Sequence, residues 1–117
     1  GGVMIDNPNE PAKVKQMSVE ALKAAQDAGD DLKLYDVRTD EEREIATIAG
    51  AIHLTPQAMD ELMTLPKDTT LVFHCHHGGR SQSAGQEFVS RGFQKVYNLV
   101  GGIDGWSTQI DPSVPRY

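Results

Sequence analysis

Residues 70–74 read Thr-Leu-Val-Phe-His, an apolar run without the polar alternation of a half-solvated strand. That continuity suits a strand buried on both faces of a parallel sheet. Parallel strands cannot be joined by hairpins, so each must be followed by a crossover, usually helical, before the next can align. The rest of the chain supplies that alternation. Ser18 is a good N-cap, with Val19, Leu22, Ala25 and Ala28 recurring at three-residue spacing before Gly29 stops the helix. Leu32 to Val37 reads as a strand. Thr39-Asp40-Glu41-Glu42 has the Thr-x-x-Glu form of a capping box and opens a short helix to about Ala46. Ala51 to Leu54 is a brief strand, and Thr55 caps a helix with Pro56 at its first position, ended by Leu65-Pro66. A helix from about Arg80 to Arg91, a strand from Lys95 to Val100 and a helical turn around Trp106 complete the pattern. Strands alternating with helices predict an α/β domain with a parallel sheet.

At roughly 150 residues per domain, a chain of 117 has room for one. Residues 1–15 are polar and carry no signal-peptide pattern; they read as an N-terminal extension, with the domain over residues 16–117. Eleven Lys and Arg face 17 Asp and Glu, a net charge of −6, which argues against a nucleic-acid or anionic-membrane partner. No apolar run approaches the roughly 20 residues of a membrane-spanning helix. The one cysteine, Cys75, rules out an internal disulfide and favours a reducing compartment, so the cytoplasm is the expected location.

Cys75 is also where chemistry is expected. In open α/β sheets ligands bind where strands end and helices begin, because helix N-termini offer unpaired N–H groups and positive partial charge. Cys75 directly follows the buried strand, on a loop with Gly78 and Gly79 that are free to adopt positive φ and turn successive N–H groups inward. Such a setting lowers a thiol's pKa and yields a reactive thiolate near neutrality. A buried, inert cysteine is the alternative, and two histidines, two glycines and an arginine in the next five positions argue against it.

Cys75-His76-His77-Gly78-Gly79-Arg80-Ser81 matches Cys-x-x-Gly-x-Arg-Ser, and the chain resembles a rhodanese (thiosulfate sulfurtransferase) domain. Leu34-Tyr35-Asp36-Val37-Arg38, Gly50-Ala51-Ile52-His53-Leu54 and the block from Asn98 to Trp106 match further family motifs in the expected order, over about residues 18 to 110. His74 to Ser81 and the tail Asp111 to Tyr117 are similar to rhodanese domains attached to bacterial monothiol glutaredoxins. Residues 45–50 depart from the family's Gly-His-Ile-Pro-Gly wording. The resemblance implies a three-layer sandwich with a mainly parallel central sheet flanked by helices. It implies sulfur carried as a Cys75 persulfide from thiosulfate or a related donor to cyanide, glutathione or a protein thiol, with a glutaredoxin among the candidate partners, and no cofactor; the rival reading is a protein-fed sulfur-relay or redox-binding module with low thiosulfate turnover. The phosphatase and arsenate-reductase branch of the fold resembles Cys-x5-Arg; the spacing here is Cys-x4-Arg, a loop too short to cradle phosphate well.

His76, His77, Gly78, Gly79, Arg80 and Ser81 are therefore the expected substrate loop, with Asp36 and Arg38 as its support. Arg80 is expected to lock the loop by pairing with Asp36, ahead of binding the substrate anion directly. Arg38 reads as surface charge slightly ahead of a loop brace. His76 and His77, expected at the pocket mouth, either carry positive charge toward thiosulfate, orient the acceptor, or are an exposed polar pair. Ser81 either hydrogen-bonds the loop backbone or reflects a helix-start preference. His74 is expected to point away from the thiol, and His53 to be structural. No metal is expected: adjacent side chains in the run His74 to His77 cannot all converge on one ion.

Overall fold

The computed structural model describes residues 13–117. Five strands and five helices follow in order: β1 (Lys15–Met17), α1 (Val19–Asp27), β2 (Lys33–Asp36), α2 (Asp40–Ile45), β3 (Ile52–His53), α3 (Pro56–Leu62), β4 (Thr70–His74), α4 (Gly79–Ser90), β5 (Lys95–Leu99) and α5 (Gly102–Gln109). The helix starts are set by side chains. Ser18 accepts a hydrogen bond from Ala21 N at 3.0 Å, and Thr55 accepts from Ala58 N at 3.1 Å. Thr39 and Glu42 complete the reciprocal capping box.

The strands form one sheet in the order β1-β5-β4-β2-β3, and every pairing is parallel. Alternation along the strands divides the core in two. Leu34, Val72 and Leu99 point to one face and pack with Val19, Leu22, Ile103 and Trp106 of α1 and α5. Tyr35, Leu71, Phe73 and Val96 point to the other and pack with Leu62 and Phe88 of α3 and α4. The sheet is thus sandwiched between two helical layers. β4 lies at its centre with four of its five residues wholly buried, as its unbroken apolar run requires.

β1 has no sequence signal. Lys-Gln-Met is short and polar, and its residues lie at a sheet edge where two of the three are exposed. It is held by register pairing with Tyr97, Asn98 and Leu99 rather than by propensity. Of the expected extension, residues 1–12 lie outside the described residues, and Lys15 is already in this strand. Among the described residues no helix is long and apolar enough to cross a membrane.

Candidate active site

Cys75 leaves the carboxyl end of the central strand, between the ends of β2 and β5. The loop then turns at Gly78, whose φ of +116° lies in the region open to glycine, and α4 begins at the next residue. Gly79 is that first helical residue and does not take the positive φ expected of it. The turn aims donors at the sulfur. Cys75 Sγ lies 3.1 Å from Gly78 N, 3.4 Å from Ser81 N and 3.3 Å from Ser81 Oγ. Loop carbonyls are directed the other way: those of Cys75 and His76 accept from Ile103 N at 2.9 Å and Asp104 N at 3.1 Å, at the start of α5. Gly102 makes this clamp feasible, since a Cβ there would overlap both carbonyl oxygens. With N–H groups inward and C=O groups outward, the loop is a nest for negative charge.

Cys75 is 1% exposed. Burial pushes its thiol pKa up, the hydrogen-bond donors of the loop, the N–H groups of Ser81, Gly78 and Arg80 among them, pull it further down, and the net shift is downward. The expected thiolate-favouring setting is present. Ser81 faces the sulfur itself rather than the loop backbone, and its hydroxyl also lies 2.5 Å from Asn98 Oδ1.

The charged residues pair differently from expectation. Asp36 is wholly buried and receives Arg38, not Arg80: Arg38 Nε at 3.0 Å, Arg38 Nη2 at 2.7 Å and Arg43 Nη1 at 2.7 Å. Arg38 is itself 3% exposed, so it is a buried brace and not surface charge. It also donates to the Ala46 carbonyl at 2.7 Å and to Tyr117 Oη at 3.0 Å. Burial pushes the Asp36 carboxyl up, and the Arg38 guanidinium together with the neighbouring His74 and backbone overcomes this and holds it low. Arg80 instead grips Glu42 through two hydrogen bonds, of 2.6 and 2.9 Å. Glu42 is held well below the usual carboxylate range by that contact first, opposed by burial and assisted by Tyr117 and Thr39. The reason for the exchange is geometric: Arg38 is two positions from Asp36 in the chain, while α2 carries Glu42 to the Arg80 side chain.

His76 stacks between His77 and Tyr117, with ring centroids 3.9 and 4.0 Å apart. Tyr117 Oη donates to Glu42 Oε2 at 2.6 Å, so the tail is tied to the loop and to its bracing carboxylate. His77 is exposed, with Nε2 4.0 Å from Asp104. His74 is wholly buried, its Nε2 3.7 Å from Asp36 Oδ2 and without a hydrogen-bond partner. Burial lowers its pKa to about 4, so the ring is neutral at pH 7. His53 Nε2 lies 2.9 Å from the Arg38 carbonyl, in keeping with a structural role.

Among the described residues, His76, His77 and Asp104 bring one ligand atom each within 4.8 Å of the others. A tetrahedral zinc shell needs neighbouring ligand atoms roughly 3.3 Å apart. Arg116 moreover occupies both Asp104 oxygens, at 2.9 and 3.4 Å. A metal would have to displace that ion pair, and His74 and Cys75 have no part in the cluster. Glu42, Asn98 and Tyr117 are the site residues the sequence reading did not single out. Glu42 was accounted for by its cap, while Asn98 and Tyr117 approach through strand pairing and tail packing.

The Rhodanese-like domain family matches residues 18–109. The chain is 34% identical over 120 residues to a probable adenylyltransferase/sulfurtransferase MoeZ of Mycobacterium tuberculosis, an alignment covering 99% of this chain and 30% of that protein. It is 36% identical over 77 residues to the thiosulfate sulfurtransferase GlpE of Coxiella burnetii, covering 65% of this chain and 72% of GlpE. Among solved structures, a rhodanese-like domain protein from Staphylococcus aureus superposes with a TM-score of 0.70 at 25% identity, covering 89% of this chain and 99% of that one.

Proposed function

The chain belongs to the rhodanese-like domain family, and from that premise we propose that it is a sulfurtransferase carrying sulfane sulfur on Cys75. One observation carries the reading: a single thiol at the carboxyl edge of a parallel sheet, within 3.4 Å of two backbone N–H groups and a hydroxyl in a loop built to hold negative charge. The Cys75 thiolate attacks the outer sulfur of thiosulfate. A new S–S bond forms, the old one breaks, and sulfite departs with its electron pair. The Cys75 persulfide then passes its outer sulfur to a thiophilic acceptor and the thiolate returns. No general base is required, because the attacking species is the thiolate, which the loop donors favour, and sulfite is a good leaving group. The nest stabilises the anionic sulfur at both stages.

Both curated relatives described above are named sulfurtransferases, and the name of GlpE is what brings thiosulfate into this reading. Cyanide, glutathione or a protein thiol such as a glutaredoxin is the matching acceptor class, and a reducing cytoplasm suits the lone cysteine. In this reading the Asp36–Arg38 pair braces the loop, and His76 and His77 border the approach to the thiol. Phosphate chemistry is disfavoured because the guanidinium that would clamp a tetrahedral anion is engaged by Glu42.

Thiocyanate formation from thiosulfate and cyanide, beside phosphoester hydrolysis and arsenate reduction, tests the assignment. The expected result is thiocyanate formation that is lost in Cys75→Ser, with no activity in the other two assays. Phosphoester hydrolysis without thiocyanate would overturn it. Sulfur uptake from a persulfidated protein without thiosulfate turnover would replace only the donor.

A further inference from the structure

Ser81 has one hydroxyl proton and two acceptors in reach. Its Oγ lies 3.3 Å from Cys75 Sγ and 2.5 Å from Asn98 Oδ1. Two oxygens at 2.5 Å repel unless a proton lies between them, whereas oxygen and sulfur at 3.3 Å are in ordinary van der Waals contact and need none. The orientation of the Asn98 amide is set from behind. Asn98 Nδ2 donates to Gln16 Oε1 at 3.0 Å, and Gln16 Nε2 donates to Gln82 Oε1 at 2.8 Å. Gln16 and Asn98 are register partners across β1 and β5, which brings their two amides together behind Ser81. Asn98 is 5% exposed and Ser81 wholly buried, which leaves little room for water to supply another acceptor.

We infer that Asn98 is a positioning residue for sulfur transfer: it takes the Ser81 hydroxyl proton, so that the Cys75 thiolate is held by backbone N–H groups and meets the Ser81 oxygen without its proton. This rests on the reading of Cys75 as the nucleophile. Its consequence is chemical. A thiolate relieved of one donor remains more basic, and thiolate nucleophilicity rises with basicity, so Asn98 keeps the sulfur reactive inside a loop that would otherwise over-stabilise it. Donation runs outward from Ser81 to Asn98, Gln16 and Gln82, away from the reacting sulfur.

The test is a pH titration of thiolate ultraviolet absorbance on the reduced chain, with the tyrosine signal of Cys75→Ser subtracted, which then reports Cys75 because no other cysteine is present. The variants are Ser81→Ala, Asn98→Leu and the double variant. Ser81→Ala in the native background is expected to change the thiolate-to-thiol ratio by less than about twofold. Asn98→Leu frees the hydroxyl for the sulfur and is expected to raise that ratio about threefold to tenfold, an increase that Ser81→Ala then abolishes. Asn98→Asp, which keeps an acceptor and adds charge, is expected to lower the ratio. The inference is overturned if Ser81→Ala alone lowers the ratio threefold or more, since the hydroxyl would then already serve the thiolate. That arm decides the matter even if Asn98→Leu fails to fold. Sulfur uptake from thiosulfate, followed in the same samples by mass, separates failure of this inference from failure of the sulfurtransferase reading.

Discussion

At Cys75, burial and hydrogen bonding act in opposite directions on one thiol, and the hydrogen bonds prevail. A buried neighbour shows the reverse outcome. His74 directly precedes Cys75 in the chain, yet burial lowers its pKa to about 4 despite the nearby Asp36 carboxylate. Between pH 6.5 and 4 the unfolded chain takes up a proton at this histidine that the folded chain refuses. Stability therefore falls on acidification through that window, by about 3 kcal/mol when the whole interval is crossed. Thermal melts from pH 7 to pH 4 should show this slope, and His74→Gln should flatten it. An unchanged slope in the variant would mean that another group titrates there. Cys75 itself was legible because its chemistry is local, a thiol followed by a glycine turn and a helix start. Neither the neutrality of His74 nor the division of the Ser81 proton could be read from sequence, because both depend on neighbours from other strands.

Among the elements, α5 and α2 shape the loop from outside. The N–H groups that open α5 hold the loop carbonyls outward, and Gly102, at φ +57°, permits the approach. Gly102→Ala combines an unfavourable backbone conformation with overlap against two carbonyls, and is expected to cost about 2 kcal/mol or more. A denaturant titration would measure this. α2 acts through Glu42, which caps its own helix and engages both Arg80 and Tyr117. Glu42→Gln weakens an exposed pair, so stability should fall by only about 1 kcal/mol or less. Steady-state assays should then show a lower KM for thiosulfate as the Arg80 guanidinium becomes free for the anion. A raised KM would instead assign Glu42 the task of aiming Arg80. The helices were foreseen to within a few residues because caps and glycine stops are local signals. Strand β4 matched its expected bounds because burial on both faces leaves a continuous apolar run. The polar edge strand β1 leaves no such mark, and partner choice among Asp36, Arg38, Arg80 and Glu42 depends on how α2 lies against the loop.

Over the whole molecule, contacts between distant parts of the chain close the site. Tyr117 Oη meets Arg38, 79 positions earlier, and Glu42, 75 positions earlier, while its ring stacks on His76. The resemblance of the tail to related domains was visible in the sequence, but its return to the Cys75 loop was not, since nothing local distinguishes a docked tyrosine from an exposed one. Tyr117→Ala removes this contact, and alkylation of Cys75 by iodoacetamide should quicken about fivefold, the effect of losing roughly 1 kcal/mol of closure. An unchanged rate would show that the thiol is reached by another route. The most direct test of the account is the intact mass of the reduced protein after incubation with thiosulfate, beside Cys75→Ser. The account predicts the added mass of one sulfur atom, absent from the variant and removed by cyanide; an unchanged mass, or an adduct that survives in Cys75→Ser, would contradict it.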